Sequence, residues 1–183
     1  ILSHVTPTTE PDLSITLYQG LIKGDKFEWV LQKGTELGIS KFVPLICQRT
    51  VPSVTFTRSD QKIKRWRKIV VEAAEQCGRS VIPIVTPPID FVSACGGLDP
   101  DSLAIIPWES AQGCSLRRAI ESNRGQKTAV FIGPEGGFQG EEVEFAKTCG
   151  ILPVSLGPRT FRSETAGMVV TAALMYESNE LEG

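Results

Sequence analysis

The strongest constraint on this chain is a pattern that occurs twice near its C-terminal end. In Phe131-Ile-Gly-Pro-Glu-Gly-Gly-Phe138 and in Leu156-Gly-Pro-Arg-Thr-Phe-Arg-Ser-Glu-Thr165, an apolar run ends in a glycine-containing turn. The runs are Ala129 to Ile132 and Val154 to Leu156. Each turn leads into a helix-like segment that starts on acidic residues, Glu141-Glu142 and Glu164. Successive strand-turn-helix units build parallel strands, because a parallel neighbour needs a crossover connection. Open α/β sheets bind ligands at the carboxyl ends of such strands. The two turns are therefore expected side by side at one sheet edge.

The rest of the chain follows the same alternation. Ser14 to Ile22 reads as a first strand around Ile15, Leu17 and Leu21, and Gly24 to Leu37 as an amphipathic helix that Gly38 ends. Phe42 to Ile46 is the second strand. Ser59 or Asp60 caps a helix to Cys77, whose apolar positions Ile63, Trp66, Ile69, Val70, Ala73, Ala74 and Cys77 recur at threes and fours. Then come a strand at Val81 to Val85, a short helix at Ile89 to Cys95, and a strand at Leu103 to Ile106. A helix at Ser115 to Ser122 and a strand at Thr128 to Ile132 follow. Glu141 to Thr148 is a helix with Gln139 or Gly140 near its cap, and Leu152 to Leu156 is the last strand. Ser163 is the expected cap of the final helix, Glu164 to Tyr176, which is apolar almost all round and so buried on most sides. The alternation predicts one α/β domain, with a mostly parallel sheet and helices on both faces. Residues 1–14, with Pro7, Pro11 and no periodicity, read as a linker or the end of a missing domain.

Composition removes several function classes. Hydrophobic content of 41% and charged content of 22% suit a globular domain, and no apolar run approaches the roughly 18 residues of a membrane span. Five cysteines, odd in number and without a C-x-x-C pair, form neither a disulfide framework nor a zinc site, so no metal is expected. The only histidine, His4, lies in the polar leader, which leaves no Ser-His-Asp or Cys-His mechanism. The net charge is −2, yet residues 58–79 hold seven basic side chains against three acidic ones.

Residue types alone leave alternatives open. Gly133 to Gly137 is followed by no Gly-Lys-Ser/Thr and does not match G-x-G-x-x-G. It is either a backbone cradle for a ligand or a plain turn. Arg159, Arg162 and Glu164 suit phosphate or base recognition, or a solvated charge cluster. The basic face of residues 62–68 suits nucleic acid or only solvent. Arg79 follows the Gly78 helix stop and so lies in a loop, and Trp108-Glu109 is expected at the same sheet edge as the glycine turns.

Taken together, Ile132-Gly-Pro-Glu-Gly-Gly-Phe138 with Glu142, and Leu156-Gly-Pro-Arg159 with Arg162 and Glu164-Thr-Ala166, resemble the SPOUT methyltransferases. More narrowly, they resemble the ribosomal RNA small subunit methyltransferase E family. Gln32 to Gly38, Arg49 and Glu72 to Arg79 extend that resemblance, which covers residues 15–178. It implies a C-terminal deep trefoil knot, a homodimer, and S-adenosylmethionine-dependent methylation of uridine N3 in small-subunit (16S-type) ribosomal RNA. The cofactor-binding residues it implies are Pro107, Ile132, Gly133, Pro134, Glu135, Gly136 and Gly137, with Leu156, Gly157, Arg159, Thr160 and Phe161 from the second loop.

By the same resemblance Arg162 stabilises the anion developing on the uracil, and Glu164 orients Arg162 or assists proton removal. Arg49 and Arg79 contact RNA, and the basic cluster at 62–68 meets phosphates. Residues 1–14 become the end of a connection from an RNA-binding β-barrel, and residues 15–183 the methyltransferase domain. Two departures stand out: Gln139 where the family often has Ser, and Arg159-Thr-Phe-Arg162 where it commonly has Arg-Ile-Leu-Arg. The competing readings are a SPOUT enzyme for another RNA position and a non-catalytic RNA-binding knotted dimer. The implied location is the cytoplasm for a bacterial source, and a plastid or mitochondrion for a eukaryotic one.

Overall fold

The computed structural model describes residues 9–51, 60–111, 113–122 and 127–181. His4, Arg58 and Ser59 lie outside the described residues.

The chain runs β1 (Ser14–Gly20), α1 (Lys26–Glu36), β2 (Lys41–Ile46), α2 (Asp60–Cys77), β3 (Ile84–Val85), β4 (Ile89–Asp90) and α3 (Phe91–Gly96). It continues through β5 (Leu103–Pro107), α4 (Leu116–Glu121), β6 (Lys127–Ile132), α5 (Gly140–Thr148), β7 (Leu152–Val154) and α6 (Ser163–Glu177). The strands form one sheet in the order β3-β2-β1-β6-β5-β7, with β4 also on β2. Every strand pair described is parallel.

The apolar runs are buried on both faces, as crossover helices on either side require. Ile15 and Leu17 of β1, Ile105 of β5 and Val130 of β6 share one core with Phe27, Val30 and Leu31 of α1, Trp66 and Val70 of α2, and Val170 and Leu174 of α6. The intervening residues Tyr18, Ala104, Ile106, Ala129 and Phe131 face the other core, with Phe91 of α3 and Val143 and Ala146 of α5. There Tyr18 and Phe131 stack with ring centroids 4.3 Å apart. The predicted α/β sheet with helices on both faces is what the chain forms.

Several boundaries moved for local reasons. Gly24 has φ +63°, so the first helix starts later than expected, at Lys26. The strand expected over Val81 to Val85 shortens to Ile84–Val85. Pro83 has no N–H to give a ladder, and the N–H groups of Ser80 and Val81 donate to Glu10 Oε1 at 2.9 and 3.0 Å. Ile89–Asp90 pairs with β2 instead of starting a helix, and the Asp90 carboxylate accepts from Ser93 N at 2.8 Å to cap α3. Ser163 is not the cap of the last helix. Arg162 holds that position in extended conformation (φ −66°, ψ 152°), and Ser163 is the first helical residue.

Residues 9–13 of the expected linker are built onto the domain. Leu13 is buried, and its N–H donates to Glu180 Oε1 at 3.0 Å. Glu10 accepts from Arg79 Nη2 at 2.8 Å. Arg79, expected at RNA, is engaged by the domain itself. Its side chain is 5% exposed, and Nη1 donates to Thr35 O at 3.1 Å and Ile39 O at 2.8 Å. Such a guanidinium ties the last turn of α1 to the segment before β2 and is spent on the fold.

Candidate active site

The carboxyl ends of β5, β6 and β7 release three loops into one cleft of about 500 Å³, well within the 300–1,000 Å³ of small-molecule sites. The β5 loop brings Pro107, Trp108 and Glu109, and the β6 loop Gly133 to Gly137 after Ile132. The β7 loop brings Leu156 and Gly157, then Arg159, Thr160 and Phe161, with Arg162 and Glu164 at the start of α6. All the residues expected at the cofactor, and both expected catalytic residues, line this cleft.

The glycine loop is shaped by close contacts. Gly20 ends β1 directly beneath it, and a Cβ there would lie 2.4 Å from Pro134 N. Gly137 has φ +69° and returns the chain toward α5, with its N–H on Pro134 O at 2.9 Å. Arg49, expected at RNA, donates to Gly136 O at 2.7 Å and Gln139 Oε1 at 2.9 Å while staying exposed. Gln139, the departure from the family pattern, is the N-cap of α5. Its backbone N–H donates to Glu142 Oε2 at 2.8 Å. The other oxygen of that buried carboxylate accepts from Gln48 N at 2.9 Å, joining the β2 loop to the glycine loop.

A fourth loop, after β1, also belongs to the cleft and was not anticipated. Lys23 N donates to Glu135 Oε1 at 2.8 Å, and Lys26 lines the cleft with its Nζ 3.2 Å from Glu164 Oε1. A cation in the first turn of α1 runs against the helix dipole, a sequence signal that such a lysine is placed for another partner. Gln19 is a second unanticipated residue. Fully buried at the end of β1, its Nε2 donates to Ser163 Oγ at 2.8 Å, and Ser163 donates on to Gly133 O. A glutamine inside an apolar strand was its only signal. Ser163 thus ties α6 to the glycine loop, which is why it does not cap its own helix.

Glu164 pairs with Lys26, and its Oε2 is buried without a hydrogen-bond partner among the described residues. Arg159 and Arg162 are exposed and make no side-chain hydrogen bond or ion pair among the described residues. The cleft therefore offers donors for anionic oxygen, backbone groups around glycines, and apolar walls at Ile132, Leu156 and Phe161. No cysteine lines it, and burial pushes the Cys95 thiol up to about 12, far from a nucleophilic thiolate. The basic residues of α2 are partly engaged: Arg65 with Glu28 at 2.7 Å, Lys68 with Glu72 at 3.4 Å, and Lys62 over the Trp66 ring at 5.4 Å.

The chain as a whole is similar to known proteins. A family model described as an RNA methyltransferase domain matches residues 9–175. The ribosomal RNA small subunit methyltransferase E of Bacillus subtilis (strain 168) is 34% identical over 188 residues, covering 100% of this chain and 73% of that protein. Its namesake from Synechocystis is 35% identical over 178 residues, 95% of this chain and 57% of that protein. The crystal structure of a ribosomal RNA small subunit methyltransferase E from Neisseria gonorrhoeae, bound to S-adenosyl methionine, superposes with a TM-score of 0.82 at 33% identity. That match covers 90% of this chain and 66% of the Neisseria chain. With the family match across most of its length and the Bacillus relative aligned with all of it, the chain belongs to the RNA methyltransferase domain family and, within it, to the ribosomal RNA small subunit methyltransferase E family.

Proposed function

We propose that the chain methylates N3 of a uridine in small-subunit ribosomal RNA, with S-adenosylmethionine as methyl donor. One observation carries the reading: the β6 glycine loop and the β7 arginine loop meet in one cleft, where Arg162 has no side-chain partner among the described residues while Glu164 is held by Lys26. The names of the Bacillus and Synechocystis relatives and the cofactor in the Neisseria structure support it.

The cleft fits the cofactor. Its volume suits a nucleoside-sized molecule, Ile132, Leu156 and Phe161 offer apolar walls for a flat base, and Gly133, Gly136 and Gly157 let backbone approach it. When bound, S-adenosylmethionine supplies an electrophilic methyl on a sulfonium, so neither a metal nor an enzyme nucleophile is called for. The protein's tasks are alignment and charge. Uridine N3 carries a proton that must leave as the new N–C bond forms, and negative charge grows on the flanking carbonyls. Arg162 is the donor for that charge. Glu164 receives the N3 proton or passes it to solvent.

The chain order supports the knotted arrangement of the family. β7 lies at the sheet edge beside β5, yet α6, which follows it, packs back on α1, β1 and β6 and against α4. The apolar α6 leaves Val169, Ala172 and Ala173 half-buried and Tyr176 exposed, which supports a homodimer face. The bacterial relatives support a cytoplasmic enzyme.

Two measurements test the reading. Calorimetry is expected to show S-adenosylmethionine binding, and absence of binding at millimolar cofactor favours a non-catalytic RNA-binding dimer. Mass mapping of ribosomal RNA nucleosides from a deletion strain is expected to show loss of one N3-methyluridine from the small subunit. Loss of a different methylated nucleoside instead assigns the enzyme to another RNA position.

A further inference from the structure

We infer that Lys26 is a positioning residue for the reaction, holding Glu164 so that Arg162 stays free for the substrate. The inference rests on the methyl-transfer reading above and adds the β1–α1 loop to the machinery.

Three observations converge on it. Lys26 Nζ is 3.2 Å from Glu164 Oε1, with the two side chains 40% and 15% exposed, and both line the cleft. This is the only ion pair described for Glu164 among the described residues, and its Oε2 has no hydrogen-bond partner there. Lys26 is also not on a free-swinging loop. Gly20 is wedged under Pro134, and Lys23 N is fastened to Glu135, so α1 begins at a set distance from the glycine loop.

The consequence concerns competition for one carboxylate. Glu164 lies two residues from Arg162, at the start of the same helix, and a carboxylate readily pairs with a guanidinium. A Glu164–Arg162 pair would neutralise the cation meant for the uracil carbonyls. Lys26 removes that option by engaging the carboxylate from the opposite wall, across the β1–β6 side of the cleft. Lysine suits the task as a compact point charge that takes one oxygen.

The test uses Lys26→Met, Lys26→Arg, Glu164→Gln and the double variant Lys26→Met/Glu164→Gln. Single-turnover methylation is measured on small ribosomal subunits lacking the modification, with cofactor saturating and RNA concentration varied. Lys26→Met is expected to lower the saturated rate about tenfold or more, as for coupled neighbours. Its RNA half-saturation and cofactor affinity are expected to change by less than about threefold, and Lys26→Arg to recover most of the rate. The double variant is expected to be no slower than the slower single variant. Thermal melting confirms that each variant is folded, and the rescue by Lys26→Arg separates positioning from a general loss of structure. The inference is overturned if Lys26→Met keeps the full saturated rate, if it raises only the RNA half-saturation, or if the two losses multiply. Glu164→Gln alone distinguishes the failures. An unchanged rate there removes the role of Glu164 itself, whereas a loss there beside a fully active Lys26→Met rejects only Lys26.

Discussion

The glycine loop and the arginine loop face each other across the same cleft but are held in opposite ways. The glycine loop is fastened from several directions: Lys23 N on Glu135, Arg49 on Gly136 O, Ser163 on Gly133 O, and the Glu142 carboxylate under Gln139. The arginine loop has a fastened backbone start, with Gly157 N on Ser155 Oγ at 3.2 Å, but Arg159 and Arg162 have no side-chain partners among the described residues. One wall is preformed at the cost of many ordered bonds. The other keeps its charges available until a ligand engages them. A site that must place a cofactor and then answer charge on a second substrate benefits from that division, because a guanidinium already paired inside the protein has less to offer a transition state.

The largest effect is expected where the untied wall is altered. Arg162→Ala should lower single-turnover methylation by about 10²–10³-fold, while its melting temperature stays near wild type because the side chain is exposed and, among the described residues, unpaired. A full rate in that variant breaks the comparison. Altering the fastened wall should do the reverse. In Gly20→Ala the new Cβ meets Pro134 N at 2.4 Å and Gly133 C at 2.7 Å, both backbone atoms that cannot step aside alone. A stability loss of about 3 kcal/mol is expected, seen in denaturant titration together with weakened cofactor binding in calorimetry.

A smaller effect, away from both walls, sharpens the contrast. Burial acts to raise the Glu10 carboxyl, but the Arg79 hydrogen bond and charge and the N–H groups of Val81 and Ser80 outweigh it and hold the group below its ordinary value. Stability from a lowered carboxyl is fully present above the unfolded value of about 4.3 and is lost as pH falls through the folded one. Glu10→Gln should therefore cost about 1 kcal/mol at neutral pH, a modest figure because the pair is partly solvated. The difference from wild type should shrink in acid, with cofactor affinity unchanged throughout. A parallel loss of affinity would mean that the frame as a whole, and not the glycine loop, sets cofactor binding.

Much of the site could be read from the chain because its loops follow strands whose apolar runs are unmistakable. Loops after parallel strands emerge at one edge, the resemblance implied that Pro107, the Gly133–Gly137 run and Arg159 to Arg162 meet there, and the strand order β6-β5-β7 sets them side by side. The fourth loop was harder to see. The position of Lys26 against the helix dipole signals only that it has some other partner, and the pairing of β1 with β6 is what puts α1 across from α6. Arg79 shows the opposite case. A basic residue after a helix stop reads as a surface charge, yet Glu10 and the carbonyls of Thr35 and Ile39 engage it.

Apolar periodicity and glycine placement, both local properties, by themselves determined the α/β class and the alternation of elements; residue types left the chemistry of the two loops open, and the family resemblance implied it. The tertiary structure alone decided which polar side chains are spent and which remain available. Ser163 went to Gly133, Glu164 to Lys26 and Arg79 to Glu10, while Arg162 has no partner among the described residues. Those choices depend on strand order and on distances across the sheet, and a residue's type and local spacing carry neither.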